Sequence, residues 1–246
     1  MIPRSPASVV TGAASGLGRA LACELASRAS RVVLADIDDA GLAETERLVA
    51  KRGGTAKAVH CDVSKADDVR RLHEEASAWL GDVDLLVNNA GVAVGGPVGE
   101  IPLDDWAWIV GINQWGVIHG CHFFLPAMKR RGRGHVLNVA SIAAFACAGD
   151  MGPYNVTKAA VVALTETLAG ELAGTGVGAT VLCPYFFATN ITKQSRSHGV
   201  GVDPKLVEDI MSKTAVQADE VARRAIAGCE KGRLYVFPHR EAKAIA

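Results

Sequence analysis

Short apolar stretches alternate along the whole chain with longer stretches in which apolar residues recur at helical spacing. The short stretches are rich in Val, Leu and Ala, and their apolar residues follow one another without polar alternation. Such runs are typical of strands that are buried on both faces of a parallel sheet. We predict these strands at residues 7–11, 31–35, 56–60, 85–87, 135–140, 179–183 and 234–237.

The longer stretches predict helices between these strands. They lie at residues 19–28, 39–51, 65–80, 103–131, 154–173 and 218–231. Regular strand and helix alternation indicates an α/β protein with a doubly wound, mostly parallel central sheet and helices on both of its faces. A chain of 246 residues fits one such domain, so we predict a single domain over residues 1–246.

A glycine-rich segment links the first strand to the first helix. It reads Thr11-Gly-Ala-Ala-Ser-Gly-Leu-Gly18. Glycines at 12, 16 and 18 allow a tight turn and a close approach to a bound group, and a helix N-terminus offers free amides to phosphate oxygens. The segment therefore predicts a pyrophosphate site, although in a chain with 26 glycines a purely structural turn is the alternative.

Asp36 ends the second strand, about twenty residues after this loop. A carboxylate at that place can accept hydrogen bonds from the ribose hydroxyls of an adenine nucleotide, and it would repel a 2′-phosphate. Ser15 and Ile37 are uncharged, whereas Arg19 is close in sequence. We therefore expect NAD to be favoured over NADP, and the alternative for Asp36 is an ordinary turn residue.

Tyr154 and Lys158 lie four residues apart in a predicted helix, so they share one face. A neighbouring ammonium favours a phenolate and lowers the pKa of a tyrosine, which would suit proton transfer near neutral pH. By itself this spacing is common in ordinary helices.

Several motifs together resemble the short-chain dehydrogenase/reductase family, whose members have a Rossmann-type fold. They are the glycine segment 11–18, Asn88-Asn-Ala-Gly91, Asn113, Ser141 and Tyr154-x-x-x-Lys158. The resemblance implies hydride transfer with a nicotinamide cofactor. It also implies a catalytic group of Ser141, Tyr154, Lys158 and Asn113, in which the main chain of Asn113 anchors a water relay behind Lys158.

The same resemblance suggests which residues contact the cofactor. They are Gly12, Ser15, Gly16, Leu17, Gly18, Asp36, Asp62, Val63, Asn89, Ala90, Gly91, Tyr154, Lys158, Pro184 and Thr189. Asp62 would lie near the adenine amine, but a helix cap or turn acid is an equal alternative for it.

The segment after Cys183 departs from the family pattern, because Tyr185 stands where the family has glycine after Pro184. Tyrosine tolerates a positive φ poorly, so the local backbone is expected to differ. We expect a substrate lid at about residues 189–216. Apolar residues that would line a hydrophobic substrate pocket, with core packing as the alternative, are Val92, Val94, Phe145, Met151, Phe186, Phe187, Ile191 and Met211.

Charge and composition exclude some classes of partner. The 26 basic residues are balanced by 26 acidic residues and form no long basic run, so we expect a small-molecule substrate and no nucleic acid. The six cysteines form no C-x-x-C pair that would suggest a metal or redox site. His119 and His122 are three residues apart, which by itself only weakly indicates metal binding, so we predict no metal. With no apolar signal or membrane segment in the sequence, we expect a cytoplasmic protein with no membrane partner.

Two predicted helices are apolar on nearly every face. One carries Trp106, Ile109, Ile112, Val117 and Phe124, and the other carries Val156, Ala159, Val161, Val162 and Leu164. A helix that is apolar on every face is expected to be buried on every face, by the sheet on one side and by another partner on the other. In the family the corresponding helices pair between subunits, and we therefore expect a homodimer or homotetramer.

The sequence therefore predicts an NAD(P)-dependent oxidoreductase acting on a hydrophobic secondary alcohol or ketone. A dinucleotide-binding sensor or scaffold without turnover, and a Rossmann-like transferase with another adenosine cofactor, are the alternatives.

Overall fold

The computed structural model describes residues 2–185, 187, 195–198, 214 and 216–245. The strands in this part of the chain are β1 (Ser8–Thr11), β2 (Arg31–Asp36), β3 (Thr55–His60), β4 (Leu85–Asn88), β5 (Val94–Gly95), β6 (Gly134–Val139), β7 (Val177–Leu182), β8 (Arg196–Ser197) and β9 (Tyr235–Val236). Seven of them form one sheet in the order β3-β2-β1-β4-β6-β7-β9, with parallel pairing throughout. The two short strands β5 and β8 pair separately.

The helices among the described residues follow the strands in alternation. They are α1 (Gly16–Ala26), α2 (Asp39–Lys51), α3 (Ala66–Leu80), α4 (Leu103–Val110), α5 (Gly116–Arg131), α6 (Ala143–Ala146), α7 (Gly152–Glu171), α8 (Ala218–Glu230) and α9 (Arg240–Ile245). A π-helical turn, Gly111–Trp115, joins α4 to α5 without a break. None of these helices is both long and apolar enough to cross a membrane.

The core consists of two layers, one on each face of the sheet. Helices α3, α5 and α7 contribute buried side chains such as Leu72, Phe124 and Val161 to one layer. Helices α1, α2 and α8 contribute Leu21, Leu42 and others to the opposite layer. Because both faces are covered, successive strand residues such as Val9 and Val10 are both fully buried, which explains the continuous apolar runs.

The predicted α/β fold class is confirmed. Every predicted helix and strand is present within a few residues of its predicted bounds, and the predicted helix over 39–51 coincides with α2. The sequence did not predict β5, β8, α6, α9 or the π-helical turn, because each is too short to show a period.

The parallel arrangement determines where a site can form. The carboxyl ends of parallel strands lie along one edge of the sheet, and the strand order reverses between β1 and β4. Ligands of doubly wound sheets bind in the crevice at this edge and at this switch point. The residues that follow β1, β2, β4, β6 and β7 therefore converge on one region.

His135, at the start of β6, makes the fold sensitive to acid. Its ring is 1% exposed, and Nε2 lies 2.7 Å from the Thr180 hydroxyl. Burial lowers the pKa of His135 from 6.5 to about 4. Because the folded pKa is below the unfolded one, the unfolded chain binds the proton first, and stability falls as the pH drops through this window.

We expect His135 to account for a loss of about 3 kcal/mol in unfolding free energy between pH 6.5 and pH 4. Urea unfolding across this range measures it. In His135→Gln a side-chain amide can bind Thr180 without titrating. The unfolding free energy of this variant should therefore fall less steeply as the pH drops from 6.5 to 4. Identical pH slopes for the two proteins would contradict this role.

Candidate active site

Tyr154 and Lys158 lie on helix α7, and Lys158 contacts the carboxyl end of β6 at Val139. Gly152 and Pro153 form the first turn of α7, where proline lacks only an N–H that would be unpaired anyway. The Lys158 ammonium lies 5.6 Å from the centre of the Tyr154 ring, and it donates a hydrogen bond of 2.9 Å to the Val139 carbonyl. Lys158 is only 4% exposed, so the cation is held within the protein beside the phenol.

Ser141 follows β6 and meets Tyr154. Its hydroxyl accepts a hydrogen bond of 3.2 Å from the Ala143 amide, and it lies close enough to Tyr154 to lower the pKa of that phenol in part. Two neighbouring hydroxyls at the carboxyl ends of the strands can both reach one substrate oxygen.

The protonation states of this pair differ from the sequence-based expectation. Burial raises the pKa of Tyr154, while the hydrogen bond from Ser141 acts in the opposite direction. Burial also lowers the pKa of Lys158 from 10.5 to about 8. The net pKa of Tyr154 is therefore raised and not lowered as expected, because desolvation of the phenol is the larger effect. The phenol is protonated at neutral pH, and it can donate.

Asn113 lies in the π-helical turn and is fully buried. Its side chain accepts from the Val92 amide at 2.8 Å and donates to the Val92 carbonyl at 2.9 Å. It also donates to the Thr157 hydroxyl at 3.1 Å. The side chain is thus fixed by its neighbours, and π-helical turns shift backbone groups out of the regular helical pattern. The role of its main chain in a water relay remains a prediction.

Gly91 packs against this group from the β4 side. A Cβ atom at Gly91 would lie 3.2 Å from Asn113 Oδ1 and 3.5 Å from Lys158 Nζ. The loop after β4, the π-helical turn and α7 therefore meet beside the lysine.

Thr11 joins the two loops at the switch point. Its hydroxyl accepts hydrogen bonds from the amides of Asn89 and Ala90 at 3.0 and 3.1 Å. The Asn89 side chain returns a hydrogen bond of 2.9 Å to the Thr11 carbonyl. The glycine loop after β1 and the Asn-Ala-Gly loop after β4 are consequently held as one unit.

The glycine loop has the shape that a pyrophosphate requires. Gly12 has φ +66°, and a Cβ there would lie 2.8 Å from Ala90 Cα. A Cβ at Gly18 would lie 2.0 Å from the Gly12 carbonyl oxygen, so only glycine lets α1 begin this close to the loop. Ser15 caps α1 with extended backbone and makes no side-chain hydrogen bond to that helix. The residues present therefore fit a dinucleotide phosphate at the start of α1.

Asp36 is fixed at the edge of this loop. Its carboxylate accepts from the Ala14 amide at 3.0 Å and from the Ile37 amide at 2.8 Å. Arg19, the cation that left the cofactor choice open, donates to the Ala14 carbonyl and to the Thr45 hydroxyl, the latter at 3.0 Å. The carboxylate thus borders the predicted ribose position, and the guanidinium is held by backbone and side-chain oxygens.

Asp62 acts as a turn acid before α3. Its carboxylate accepts from the Ser64 amide and hydroxyl at 3.1 and 2.7 Å and pairs with Lys65 at 3.3 Å. Burial raises the pKa of Asp62, but the hydrogen bonds from Ser64 and Lys65 outweigh burial and lower it. Val63 is buried, and its carbonyl lies 3.0 Å from His119 Nδ1. The adenine contact of Asp62 and Val63 remains a prediction.

Pro184 and Tyr185 follow β7 at the same edge. Among the described non-glycine residues, a positive φ occurs at Ala29, Cys147 and Asp150, so Tyr185 has an ordinary backbone. Thr189, Phe186, Ile191, Met211 and most of the predicted lid at 189–216 lie outside the described residues.

Of the candidate pocket residues, three belong to the core. Val92 and Val94 form a small buried cluster with Ile101 and Ile109, against which Tyr154 packs. Phe187 is buried in the layer of α1 and α8. Phe145 packs beside Tyr235 and Phe237, and Met151 is half-buried next to Gly95. Core packing is thus the role that the structure favours for Val92, Val94 and Phe187.

The sequence analysis missed two supporting residues of the site. Thr11 stands in the glycine segment, but its role as the clamp between two loops depends on Asn89, which is distant in sequence. Thr157 accepts from Asn113 and donates to the Tyr154 carbonyl at 3.0 Å. Its position inside Tyr-x-x-x-Lys, on the buried side of α7, is the only signal that could have indicated it.

Comparisons with known proteins agree with this geometry. The family model described as short chain dehydrogenase matches residues 7–199. The probable oxidoreductase EphD of Mycobacterium tuberculosis is 36% identical over 200 residues, which cover 81% of this chain and 34% of that protein. This chain thus spans about a third of the length of EphD.

Two further relatives match over nearly the whole chain. The 1-deoxy-11-beta-hydroxypentalenate dehydrogenase of Streptomyces exfoliatus is 34% identical over 241 residues, covering 96% of this chain and 84% of that protein. The crystal structure of a short chain dehydrogenase/reductase from Burkholderia phymatum in complex with NAD is 35% identical and has a TM-score of 0.89, covering 96% of this chain and 90% of that one.

Proposed function

This chain belongs to the short chain dehydrogenase family. We propose that it is a nicotinamide-dependent oxidoreductase that interconverts a hydrophobic secondary alcohol and the corresponding ketone, with NAD as the preferred cofactor. The observation that carries this proposal is the meeting of Ser141, Tyr154 and Lys158 at the carboxyl edge of the sheet.

The residues of the chain divide the work as follows. Gly12, Ser15 and Gly18 would hold the pyrophosphate, and the bound nicotinamide supplies the acceptor or donor of hydride. Ser141 donates a hydrogen bond to the substrate oxygen and stabilises negative charge as it develops there. Tyr154 gives its proton to that oxygen during ketone reduction, and in the reverse reaction the phenolate form accepts the proton of the alcohol.

Lys158 supports the proton transfer electrostatically. Its pKa of about 8 leaves it mainly cationic at pH 7. A cation 5.6 Å from the tyrosine ring favours the phenolate that forms after proton donation. Asn113 and Thr157 fix the backbone around this pair and keep the lysine in place.

The environment of Asp36 supports NAD over NADP. A 2′-phosphate at the ribose would bring up to two negative charges next to the carboxylate, while the guanidinium of Arg19 is bound by the Ala14 carbonyl and Thr45. Like charges in close contact disfavour binding.

Asp36→Asn is expected to lower the preference for NAD over NADP by at least about tenfold, because the negative charge that would repel a 2′-phosphate is removed. The preference is measured as the ratio of the kcat/KM values for the two cofactors. Asp39→Asn is the matched control. That exposed carboxylate pairs with His60 at the start of α2, and its loss should leave the ratio unchanged. A ratio that stays constant in Asp36→Asn would refute the assignment of NAD.

The activity itself is tested with a panel of secondary alcohols and ketones. Purified protein is incubated with NAD or NADH, and absorbance of the reduced nicotinamide is followed. Turnover with apolar members of the panel, and little turnover with polar ones, is the expected result. NADH binding without turnover of any member would instead favour a dinucleotide-binding sensor.

The proposal of an apolar substrate rests on the apolar surroundings of Tyr154. The tyrosine packs against the core cluster of Val92, Val94 and Ile109, and Trp106, which packs against the same cluster, is only half-buried. The relative from Streptomyces exfoliatus is named as a dehydrogenase of 1-deoxy-11-beta-hydroxypentalenate, a substrate with a hydroxyl group.

We also propose that two or four copies of the chain associate through α5 and α7. A surface groove between these helices is lined by Ile118, Leu125, Leu164 and Leu168. Trp115, in the π-helical turn, and Val156, on α7, are 50% and 51% exposed. Large apolar side chains exposed to this degree support an interaction site on this side of the molecule. Sedimentation at micromolar concentration should give a dimer or tetramer, and a monomer would overturn the proposal.

A cytoplasmic location is supported by the cysteines. All six are free thiols, and five of them are buried. Unpaired cysteines are typical of proteins from reducing compartments.

A further inference from the structure

His239, in the C-terminal segment, hydrogen-bonds two backbone positions, one shortly after β7 and the other shortly before α8. It lies between β9 and α9, and only 1% of it is exposed. Its Nδ1 is 3.2 Å from the Tyr185 amide, and its Nε2 is 3.1 Å from the Val216 carbonyl. One imidazole therefore binds a backbone donor shortly after β7 and a backbone acceptor shortly before α8.

These two partners determine the protonation of the ring. A backbone amide can only donate, so Nδ1 must be an unprotonated acceptor, and a carbonyl can only accept, so Nε2 carries the proton. The imidazole is consequently neutral. Burial lowers the pKa of His239, which agrees with this state.

The peptide that His239 holds is next to the catalytic serine. The Pro184 carbonyl accepts from the Ile142 amide at 2.8 Å, and Ile142 directly follows Ser141. The contact to His239 comes one residue later, at Tyr185. Hydrogen bonds between β6 and β7 thus continue past the end of the sheet, and His239 secures the last peptide of this series.

His239 itself is well anchored. The Cys183 amide donates to the Val236 carbonyl at 2.9 Å, which holds the strand before His239 against β7. Arg224 on α8 donates to the Pro238 carbonyl. The Phe187 ring stacks on the imidazole at 6.0 Å between centroids. The ring can therefore impose a position on Tyr185 instead of following it.

We propose that His239 is a positioning residue for the nicotinamide end of the cofactor site. It fixes the peptide after Pro184 and, through Ile142, the loop that carries Ser141. This inference rests on the proposed function. The positions proposed for the pyrophosphate and the adenosine ribose, at Gly12, Gly18 and Asp36, are not among the contacts of His239 and should not depend on it.

Two variants of His239 and two probes test the proposal. His239→Gln can still donate to Val216 but has no acceptor at the Nδ1 position, whereas His239→Asn keeps an acceptor there. The probes are NADH and ADP-ribose, and the latter lacks the nicotinamide. Dissociation constants are measured by calorimetry for both variants and for His135→Gln. The last is the matched control, because His135 is also a buried histidine but lies at the amino end of β6.

His239→Gln should bind NADH about tenfold more weakly than the wild type, as the loss of one buried hydrogen bond implies. ADP-ribose should bind all three variants as it binds the wild type, and His239→Asn should restore NADH affinity. The proposal is overturned by unchanged NADH binding in His239→Gln, or by equal losses for both probes. If the wild type binds neither probe, the proposed function fails instead.

Discussion

Tyr154→Phe is expected to lower kcat by about 10²- to 10⁴-fold, which is the usual contribution of a general acid–base group. The phenylalanine ring keeps the packing against Val92 and Ile109. It removes the hydroxyl that hydrogen-bonds Ser141 and that would transfer the proton. NADH binding should remain within about twofold of the wild type, because the glycine loop and Asp36 are untouched. Steady-state kinetics and calorimetry measure the two effects separately.

Tyr235→Phe is the control with the same chemical change. The Tyr235 hydroxyl of the wild type donates to Glu166, and Tyr235 lies on β9, the outermost strand of the sheet. Turnover should be unchanged in this variant. If Tyr154→Phe kept wild-type turnover, Tyr154 could not be the proton donor, and the assignment of the site would be wrong.

Gly18→Ala is expected to abolish dinucleotide binding, with an NADH dissociation constant at least about 100-fold higher. The new Cβ would lie 2.0 Å from the Gly12 carbonyl oxygen and 2.6 Å from the Asn89 side-chain nitrogen. The glycine loop and the start of α1 must then move apart, and the amides that face the pyrophosphate move with them. Forcing extra volume into a packed site also costs about 1–3 kcal/mol of stability.

Gly170→Ala provides the matched control. Gly170 is in α7, and a Cβ there meets no atom within 4 Å. Alanine favours a helix over glycine by about 1 kcal/mol, so this variant should bind NADH normally and unfold at a slightly higher temperature. Wild-type NADH affinity in Gly18→Ala would show that the glycine loop does not bind the pyrophosphate.

The sequence was sufficient for the parts of the molecule that are locally encoded. Continuous apolar runs predicted the parallel strands, and the order of strand, glycine loop and helix predicted a nucleotide site at Gly12 and Asp36. The i, i+4 spacing predicted that Tyr154 and Lys158 share a helix face, whereas Ser141 was added by the resemblance to the family; the structure brings the three together.

Features that depend on tertiary contacts could not be predicted in the same way. The pKa of Lys158 is lowered because the folded chain buries it, and no local pattern reports that burial. The π-helical turn at Asn113 occurs inside an otherwise regular helical period. His239 acts on Tyr185, 54 residues away, through a single hydrogen bond. Each of these properties arises from elements that are distant in sequence.

The proposed activity requires that the Tyr154 hydroxyl lie within reach of the nicotinamide ring of a bound cofactor. In a crystal structure of the protein with NAD, we expect the pyrophosphate at Gly12 and Gly18 and the adenosine ribose at Asp36. The Tyr154 and Ser141 hydroxyls should face the reactive carbon of the nicotinamide ring. A dinucleotide bound elsewhere, or a nicotinamide ring out of reach of the Tyr154 hydroxyl, would contradict the proposed activity.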